Sequence, residues 1–230
     1  MLSARDRLVV ALDFPHRQPA LEMVDRLQGE VGMFKIGKQL FTAEGPGVVR
    51  EVVGAGDKVF LDLKFHDIPN TVAGAVASAA GLGVSLVNVH ASGGVAMMKA
   101  AAGAAAGTGA RVLAVTVLTS LDRAGLEAVG FSESPEKVVL RLARMALESG
   151  LDGVVAGPTE AALLRRELGR SFLIVTPGIR LPQNDRQDQA RAASPDQAVR
   201  DGADYIVVGR PITEAPDPAA VARSIVRMLQ

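Results

Sequence analysis

Short apolar runs alternate with amphipathic stretches along the whole 230-residue chain. The runs have the length of buried strands, and the stretches between them repeat apolar residues at the spacing of a helix packed on one face. Eight such strand–helix units predict an α/β fold, a (β/α)8 TIM barrel. The expected strands are residues 8–13, 33–37, 59–64, 86–90, 112–118, 153–156, 173–176 and 205–208. The expected helices are residues 19–28, 45–54, 70–82, 94–106, 135–148, 159–168, 195–201 and 218–229.

Local signals refine this prediction. We expect Asn70 and Thr159 to be helix N-caps, because their side chains can accept hydrogen bonds from free backbone N–H groups. An open doubly wound sheet would usually carry a glycine-rich loop after its first strand. Here the first strand ends at Asp13, which Phe, Pro and His follow. The sequence therefore predicts one barrel domain over residues 1–230.

Composition narrows the classes of function. Acidic and basic residues balance at 25 each, which gives no indication of a nucleic-acid or membrane-surface partner. The chain has no cysteine, which excludes disulfides, thiolate nucleophiles and cysteine-based zinc or iron–sulfur sites. No apolar run reaches the ~18 residues of a membrane-spanning helix, and the charged N-terminus is unlike a signal peptide. A cytoplasmic protein is expected.

Charged residues gather at the predicted strand ends. Asp62 and Lys64 share one face of the third strand, since alternate side chains of a strand point the same way. Burying two charges costs about several kcal/mol each unless they are paired. Active sites of barrels form where the strands end, so we expect Asp13, Lys35 and Asp67 to join this pair. Alternating charges would favour the ionised forms of all these groups.

Other interpretations of these residues stay open. The charges could form a salt-bridge network that only holds the barrel mouth together. Asp62, His66 and Asp67 could instead hold a metal ion, although the neighbouring lysines would repel a divalent cation. Thr71 is either a site residue near the free N–H groups of a helix start or an ordinary first-turn residue.

The last two strand ends predict a phosphate site. Barrels that bind phosphorylated substrates often use the loops after strands seven and eight. Arg180 follows the seventh strand closely, and Gly209 and Arg210 follow the eighth. Glycine allows a phosphate to approach the backbone, and arginine offers paired donors. The long polar segment 181–193 between them is expected to be a lid; the alternative is a solvated loop with two incidental arginines.

The chain closely resembles the bacterial orotidine 5′-phosphate decarboxylase family. The matching motifs run in the family's order over nearly the whole chain: ALD at 11–13, FKIG at 34–37, DLKFHDIPNT at 62–71, VNVHA at 87–91, LTS at 118–120, TPGIR at 176–180 and VVGRP at 207–211. The resemblance implies decarboxylation of orotidine 5′-monophosphate to uridine 5′-monophosphate, the last step of de novo pyrimidine synthesis. It implies no cofactor and no metal.

The resemblance also implies residue roles. Lys64 would stabilise the negative charge at C6 and deliver the proton, and Asp62 would lie near the departing carboxylate, with Lys35 and Asp67 completing the catalytic set. The implied substrate-binding residues are Asp13, Lys35, Asp62, Asp67, Ile68, Thr71, Thr119, Pro177, Arg180, Gln189, Gly209 and Arg210. Gln187 competes with Gln189 for the phosphate. The family is a homodimer, in which Asp67, Ile68 and Thr71 would serve the partner's site.

Two other functions are retained as alternatives. A magnesium-dependent sugar-phosphate decarboxylase or aldolase of the same superfamily would typically carry an acidic residue where this chain has Lys35. A barrel that binds a nucleotide phosphate without turning it over would predict uridylate binding with no loss of orotidylate absorbance.

Overall fold

A computed structural model describes residues 2–181 and 193–230. In these residues eight parallel strands close into a barrel in sequence order, with β8 paired to β1. The predicted (β/α)8 fold is therefore confirmed. The strands are β1 (Leu8–Ala11), β2 (Met33–Gly37), β3 (Val59–Phe65), β4 (Leu86–His90), β5 (Arg111–Val115), β6 (Gly153–Val155), β7 (Leu173–Thr176) and β8 (Tyr205–Val208).

Helices follow each strand and cover the outside of the barrel. They are α1 (Arg17–Leu27), α2 (Lys38–Glu44), α3 (Pro46–Gly54), α4 (Pro69–Ala80), α5 (Gly94–Ala105), α6 (Arg123–Ala128), α7 (Pro135–Glu148), α8 (Pro158–Leu168), α9 (Pro195–Arg200), α10 (Arg210–Thr213) and α11 (Pro218–Met228). In the described part of the chain, none of these helices has the length and apolarity required to cross a membrane.

Several predicted boundaries are wrong. β1 ends at Ala11 and β5 at Val115, so the backbone leaves the sheet before the apolar sequence ends. The N-caps of α4 and α8 are Ile68 and Gly157, not Asn70 and Thr159. In both helices a proline occupies the first turn, where its missing N–H costs no hydrogen bond. That shifts each helix start toward the N-terminus. The short helices α2, α6 and α10 were not predicted.

The barrel buries two apolar layers. The larger layer lies between the strands and the helices, and the smaller one fills the barrel interior. The interior layer includes Met33, Phe60 and Leu86 on three adjacent strands. Two residues further along each of these strands, the next interior position is polar: Lys35, Asp62 and Asn88, all buried. The apolar interior thus ends in a polar layer at the C-terminal end of β2, β3 and β4.

Gly153 on β6 tests how tightly the barrel is packed. A Cβ at this position would lie 2.7 Å from Leu173 Cβ and would also collide with the Leu173 carbonyl oxygen. We expect Gly153→Ala to lower the free energy of unfolding by about 1–3 kcal/mol, the usual cost of overpacking. Urea unfolding measures this change.

Gly103→Ala is the matched control. Gly103 lies inside α5, and a Cβ there would meet no atom within 4 Å beyond its chain neighbours and the backbone of its own helix. This substitution should raise the free energy of unfolding by about 0.5–1 kcal/mol, since alanine loses less backbone entropy in a helix. Equal free energies of unfolding for Gly153→Ala and the unmodified chain would contradict the close packing of β6 on β7.

Candidate active site

A cavity of about 330 Å³ opens at the C-terminal ends of the barrel strands. This volume lies in the range of small-molecule sites. Much of its lining is apolar and includes Phe60, Val115 and Val155, which reach it from the barrel interior. The lining residues that the sequence predicted as site residues are Asp13, Lys35, Asp62, Lys64, Thr119, Pro177, Gly209 and Arg210.

Four charged side chains form a continuous chain in this cavity. Lys35 Nζ lies 3.2 Å from Asp13 Oδ1 and 3.4 Å from Asp62 Oδ2. Lys64 Nζ donates a hydrogen bond of 2.6 Å to Asp62 Oδ1. The charges alternate in sign, so each ammonium group has a carboxylate beside it and the two lysines share Asp62. The structure therefore brings together four of the five charged residues predicted at the strand ends.

A glycine makes room for the first pair of this chain. Gly37 ends β2 two residues after Lys35. A Cβ at this position would lie 3.0 Å from Lys35 Nζ and 3.1 Å from Asp13 Oδ1. The ammonium and the carboxylate therefore occupy the space that a larger residue would fill. In the sequence, Gly37 belongs to the FKIG motif at 34–37 and has no predicted role.

Asp62 is the most constrained member of the chain. Its side chain is buried, and burial alone would raise the pKa of its carboxyl group. The ammonium groups of Lys35 and Lys64, together with hydrogen bonds from Lys64 and Asn88, outweigh burial and hold the pKa below its ordinary value. Asp62 is thus a carboxylate at neutral pH, removed from water and stabilised by neighbouring donors and cations.

Lys64 departs from the regular strand that the sequence predicted. Its φ is +53°, and no other non-glycine residue in the described ranges has a positive φ. The pairing of β3 with β4 shifts register between Leu61 and Phe65, which is an irregularity centred on this part of β3. The backbone N–H of Lys64 donates to Asn88 Oδ1 (2.8 Å) instead of continuing the ladder. The side chains of β3 therefore alternate between the two faces of the sheet only as far as Asp62.

Asn88 is a buried member of the site that the sequence prediction omitted. Its Nδ2 donates to Asp62 Oδ1 (2.7 Å), and its side chain is fully enclosed. The signal was present, because Asn88 is the interior residue two positions after Leu86. Recognising it required the interior face of β4 to be compared with those of β2 and β3.

Neutral and cationic residues line the other side of the cavity. Thr119 follows β5, Pro177 follows β7, and Gly209 follows β8. A Cβ at Gly209 would lie 3.6 Å from Ala11 Cβ, so this part of the backbone packs against the end of β1. Arg210 is exposed at the cavity edge. This part of the lining thus carries one cation, at Arg210, and a backbone in contact with the end of β1.

Other predicted residues lie outside the cavity. Asp67 is exposed, and its Oδ1 accepts a hydrogen bond from the Ile68 backbone N–H (2.6 Å). Ile68 is 66% exposed, and Thr71 is exposed in the first turn of α4. Arg180 does not line the cavity, and its backbone N–H donates to the Ala193 carbonyl oxygen (3.0 Å). Gln187 and Gln189, like most of the predicted lid, lie outside the described residues.

The metal-site interpretation does not match the described side chains. Within residues 2–181 and 193–230, no three His, Asp or Glu side chains are grouped so as to hold a metal ion. Asp62 already contacts two ammonium groups, and Asp67 is bonded to its own backbone neighbour. His66 packs near His90, with 5.4 Å between the ring centroids.

The comparisons with known proteins agree over nearly the whole chain. A family model described as orotidine 5′-phosphate decarboxylase / HUMPS family matches residues 6–225. A protein of Moorella thermoacetica named orotidine 5′-phosphate decarboxylase is 51% identical, over 97% of this chain and 92% of its own length. One of Anaeromyxobacter sp. strain K with the same name is 54% identical, over 96% of each chain. The crystal structure of orotidine 5′-phosphate decarboxylase from Lactobacillus acidophilus superposes with a TM-score of 0.87, at 38% identity over 97% of this chain and 98% of that one.

His90, at the end of β4, should make the stability of the protein depend on pH. Burial, followed by the charges of His66, Lys38 and Lys64, lowers the pKa of His90 to about 4. Unfolding exposes the ring and restores its ordinary pKa of 6.5. Between these values the unfolded chain binds a proton that the folded chain does not bind, so acid favours unfolding. We therefore expect His90 to make the protein less stable as the pH falls from 6.5 toward 4.

Urea unfolding at pH 7 and pH 4.5 measures this effect. The loss of stability between the two pH values should be smaller in His90→Asn than in the unmodified chain. Proton NMR of the imidazole should place the midpoint of His90 near pH 4. A midpoint above pH 6, or identical losses of stability in the two proteins, would contradict the lowered pKa.

Proposed function

Because the chain belongs to the orotidine 5′-phosphate decarboxylase / HUMPS family, we propose that the described cavity decarboxylates orotidine 5′-monophosphate to uridine 5′-monophosphate, with Lys64 as the proton donor. The observation that carries this mechanism is the contact of Lys64 Nζ with the buried Asp62 carboxylate at the barrel mouth. Two relatives named orotidine 5′-phosphate decarboxylase match nearly the whole chain at 51% and 54% identity, and this supports the choice of substrate.

The chemistry requires a cation at the reacting carbon. Breaking the bond between C6 and its carboxylate releases CO₂ and leaves the electron pair on C6, in the plane of the ring, where resonance gives little relief. Decarboxylases often use a cofactor as an electron sink that delocalises this pair. Here fixed charges of the protein would stabilise the carbanion instead. The ammonium group of Lys64 would lie beside the developing carbanion and then transfer a proton to C6. The neutral amine would regain its proton from solvent.

Asp62 would act on the negative charge of the substrate carboxylate that leaves as CO₂. Its carboxylate stays ionised at neutral pH, as the lowered pKa indicates. Placed beside the substrate carboxylate, it would raise the energy of the bound substrate more than that of the transition state, in which the departing group loses its charge. Lys35 would hold Asp62 in place through the 3.4 Å contact and would reach a ribose hydroxyl together with Asp13.

The remaining residues would bind the parts of the substrate that do not react. Thr119 would contact the pyrimidine beside Pro177, while Gly209 and Arg210 would bind the phosphate. We assign Arg180 and Gln189 to the same phosphate from the family resemblance. Binding energy gained at a remote phosphate can be used to assemble the reactive geometry, and it then raises the rate of the chemical step.

A homodimer would explain the position of Asp67, the second carboxylate of the catalytic set. Asp67, Ile68 and Thr71 are exposed between the end of β3 and the first turn of α4, and Ile68 is a large apolar side chain facing solvent. We propose that they pack on a second copy, in which Asp67 completes the charged set of the partner's site. A cytoplasmic location stays a prediction.

An absorbance assay tests the proposed reaction. Purified protein is mixed with orotidine 5′-monophosphate and excess EDTA, and the loss of its ultraviolet absorbance is followed. We expect conversion to uridylate without added metal. Uridylate binding without conversion would favour a non-catalytic nucleotide-phosphate barrel, and conversion only after magnesium is restored would favour the metal-dependent alternative.

Lys64→Ala identifies the proton donor in the same assay. It should abolish turnover, since the cation at C6 and its proton are both lost, while uridylate binding is largely kept. Lys58→Ala is the control, because Lys58 is exposed just before the opposite end of the same strand. Substantial turnover by Lys64→Ala, or an equal loss in Lys58→Ala, would contradict the assignment.

Mixing two inactive variants tests the dimer. In a dimer with shared sites, a Lys64→Ala chain and an Asp67→Asn chain together form one site that carries neither substitution. Random exchange of subunits should therefore restore roughly a quarter of the unmodified activity, since half of the dimers are mixed and each has one intact site. Mixtures that stay inactive, despite subunit exchange shown by mass spectrometry, would place Asp67 in its own chain's site.

A further inference from the structure

Asn88 connects the two residues at the centre of the proposed reaction. It lies on β4, its side chain has no exposed surface, and it does not line the cavity. Its Nδ2 donates to Asp62 Oδ1 (2.7 Å), and its Oδ1 accepts from the Lys64 backbone N–H (2.8 Å). One buried amide therefore contacts the side chain of Asp62 and the main chain of Lys64 at once.

The contact with Lys64 falls where the backbone is least regular. A φ of +53° is uncommon for a residue with a side chain, and it persists only where the surroundings impose it. The register shift between Leu61 and Phe65 interrupts the regular pairing of β3 with β4 at this point. Asn88 Oδ1 gives the Lys64 N–H a partner that compensates for this interruption. The amide thus stabilises the conformation from which the Lys64 side chain reaches Asp62.

The two contacts require a side chain that both donates and accepts, and an amide does so with two separate atoms. A backbone N–H can only donate, so the atom that faces it must be an acceptor. An ionised carboxylate can only accept, so the atom that faces Asp62 must be a donor. An asparagine satisfies both in one orientation. An aspartate would place two carboxylates together, and an alanine or leucine would leave both groups without this partner.

We propose that Asn88 is a positioning residue of the decarboxylation: it holds Lys64 in the left-handed conformation and fixes the Asp62 carboxylate, so that the ammonium group is aimed at C6. This inference rests on the proposed function for its kinetic consequence only. The geometric part, that Asn88 imposes the backbone conformation of Lys64, stands independently. Asn88 itself does not touch the substrate.

Two substitutions separate the two contacts. Asn88→Ala removes both, and we expect kcat to fall about 100-fold, as small displacements of catalytic groups commonly cost. KM for orotidylate and the affinity for uridylate should change little, because Asn88 is outside the cavity. Asn88→Asp keeps an acceptor for Lys64 but adds a negative charge beside Asp62. That charge raises the pKa of Asp62, so the acid limb of the kcat–pH profile should move to higher pH.

Thr116→Val is the matched control. Thr116 is also a buried polar residue at this end of the barrel, and its Oγ1 donates to the Val155 carbonyl oxygen (3.0 Å). Its side-chain hydrogen bond goes to this carbonyl oxygen and not to a charged residue, so its substitution should leave kcat, KM and the pH profile unchanged. An equal loss of kcat in Thr116→Val would overturn the proposal, since the effect would then be one of barrel packing.

The crystal structure of Asn88→Asp and of Asn88→Ala provides a readout that does not depend on activity. We expect Lys64 to return to a negative φ in Asn88→Ala and to keep its positive φ in Asn88→Asp. An unchanged φ in Asn88→Ala, or a kcat within twofold of the unmodified value, would overturn the role of Asn88. If the unmodified protein does not convert orotidylate, the proposed function fails, while these structures still decide whether Asn88 controls Lys64.

Discussion

The site depends on one buried carboxylate held between two ammonium groups. Asp62 lies 3.4 Å from Lys35 Nζ and 2.6 Å from Lys64 Nζ, in a position largely removed from water. A buried charge is tolerated only when its partners are placed accurately, because losing one partner leaves an uncompensated charge. The ends of β2 and β3 must therefore keep their relative positions. The glycine at the end of β2 and the irregular backbone of Lys64 both serve this requirement.

The barrel supplies that accuracy from its interior packing. Met33, Phe60 and Leu86 fill one interior layer, and Lys35, Asp62 and Asn88 lie directly after them on the same strands. Close-packed apolar side chains leave little freedom for the strands to slide. The polar layer owes its rigidity to this packing, and Lys35 and Asp62 lie on β2 and β3, which pair in regular register.

The sequence predicted the barrel because its signal is periodic and repeated in every unit. It also predicted the cluster of charges, since strand ends meet at one face of any such barrel. The N-caps were wrong, because Pro69 and Pro158 start their helices earlier than a capping side chain at Asn70 or Thr159 would. The local backbone of Lys64 could not be predicted, because its positive φ depends on a contact from β4, 24 residues away. Asn88 was missed for a different reason: its place on the interior face of β4 was visible in the sequence, but its two hydrogen-bond partners lie on β3.

The site residues come from two halves of the barrel. The charged chain and its amide come from β1 to β4, whereas Thr119, Pro177 and Arg210 follow β5, β7 and β8. Under the proposed roles, the reacting groups and the ribose contacts lie in the first half of the sequence, and the pyrimidine and phosphate contacts lie in the second half. Recombination or directed evolution confined to the second half could change which phosphorylated molecule is held while the proton-transfer apparatus is inherited intact. Under these roles, the phosphate-binding half of the barrel could vary while the proposed reacting residues of β2 and β3 stay the same.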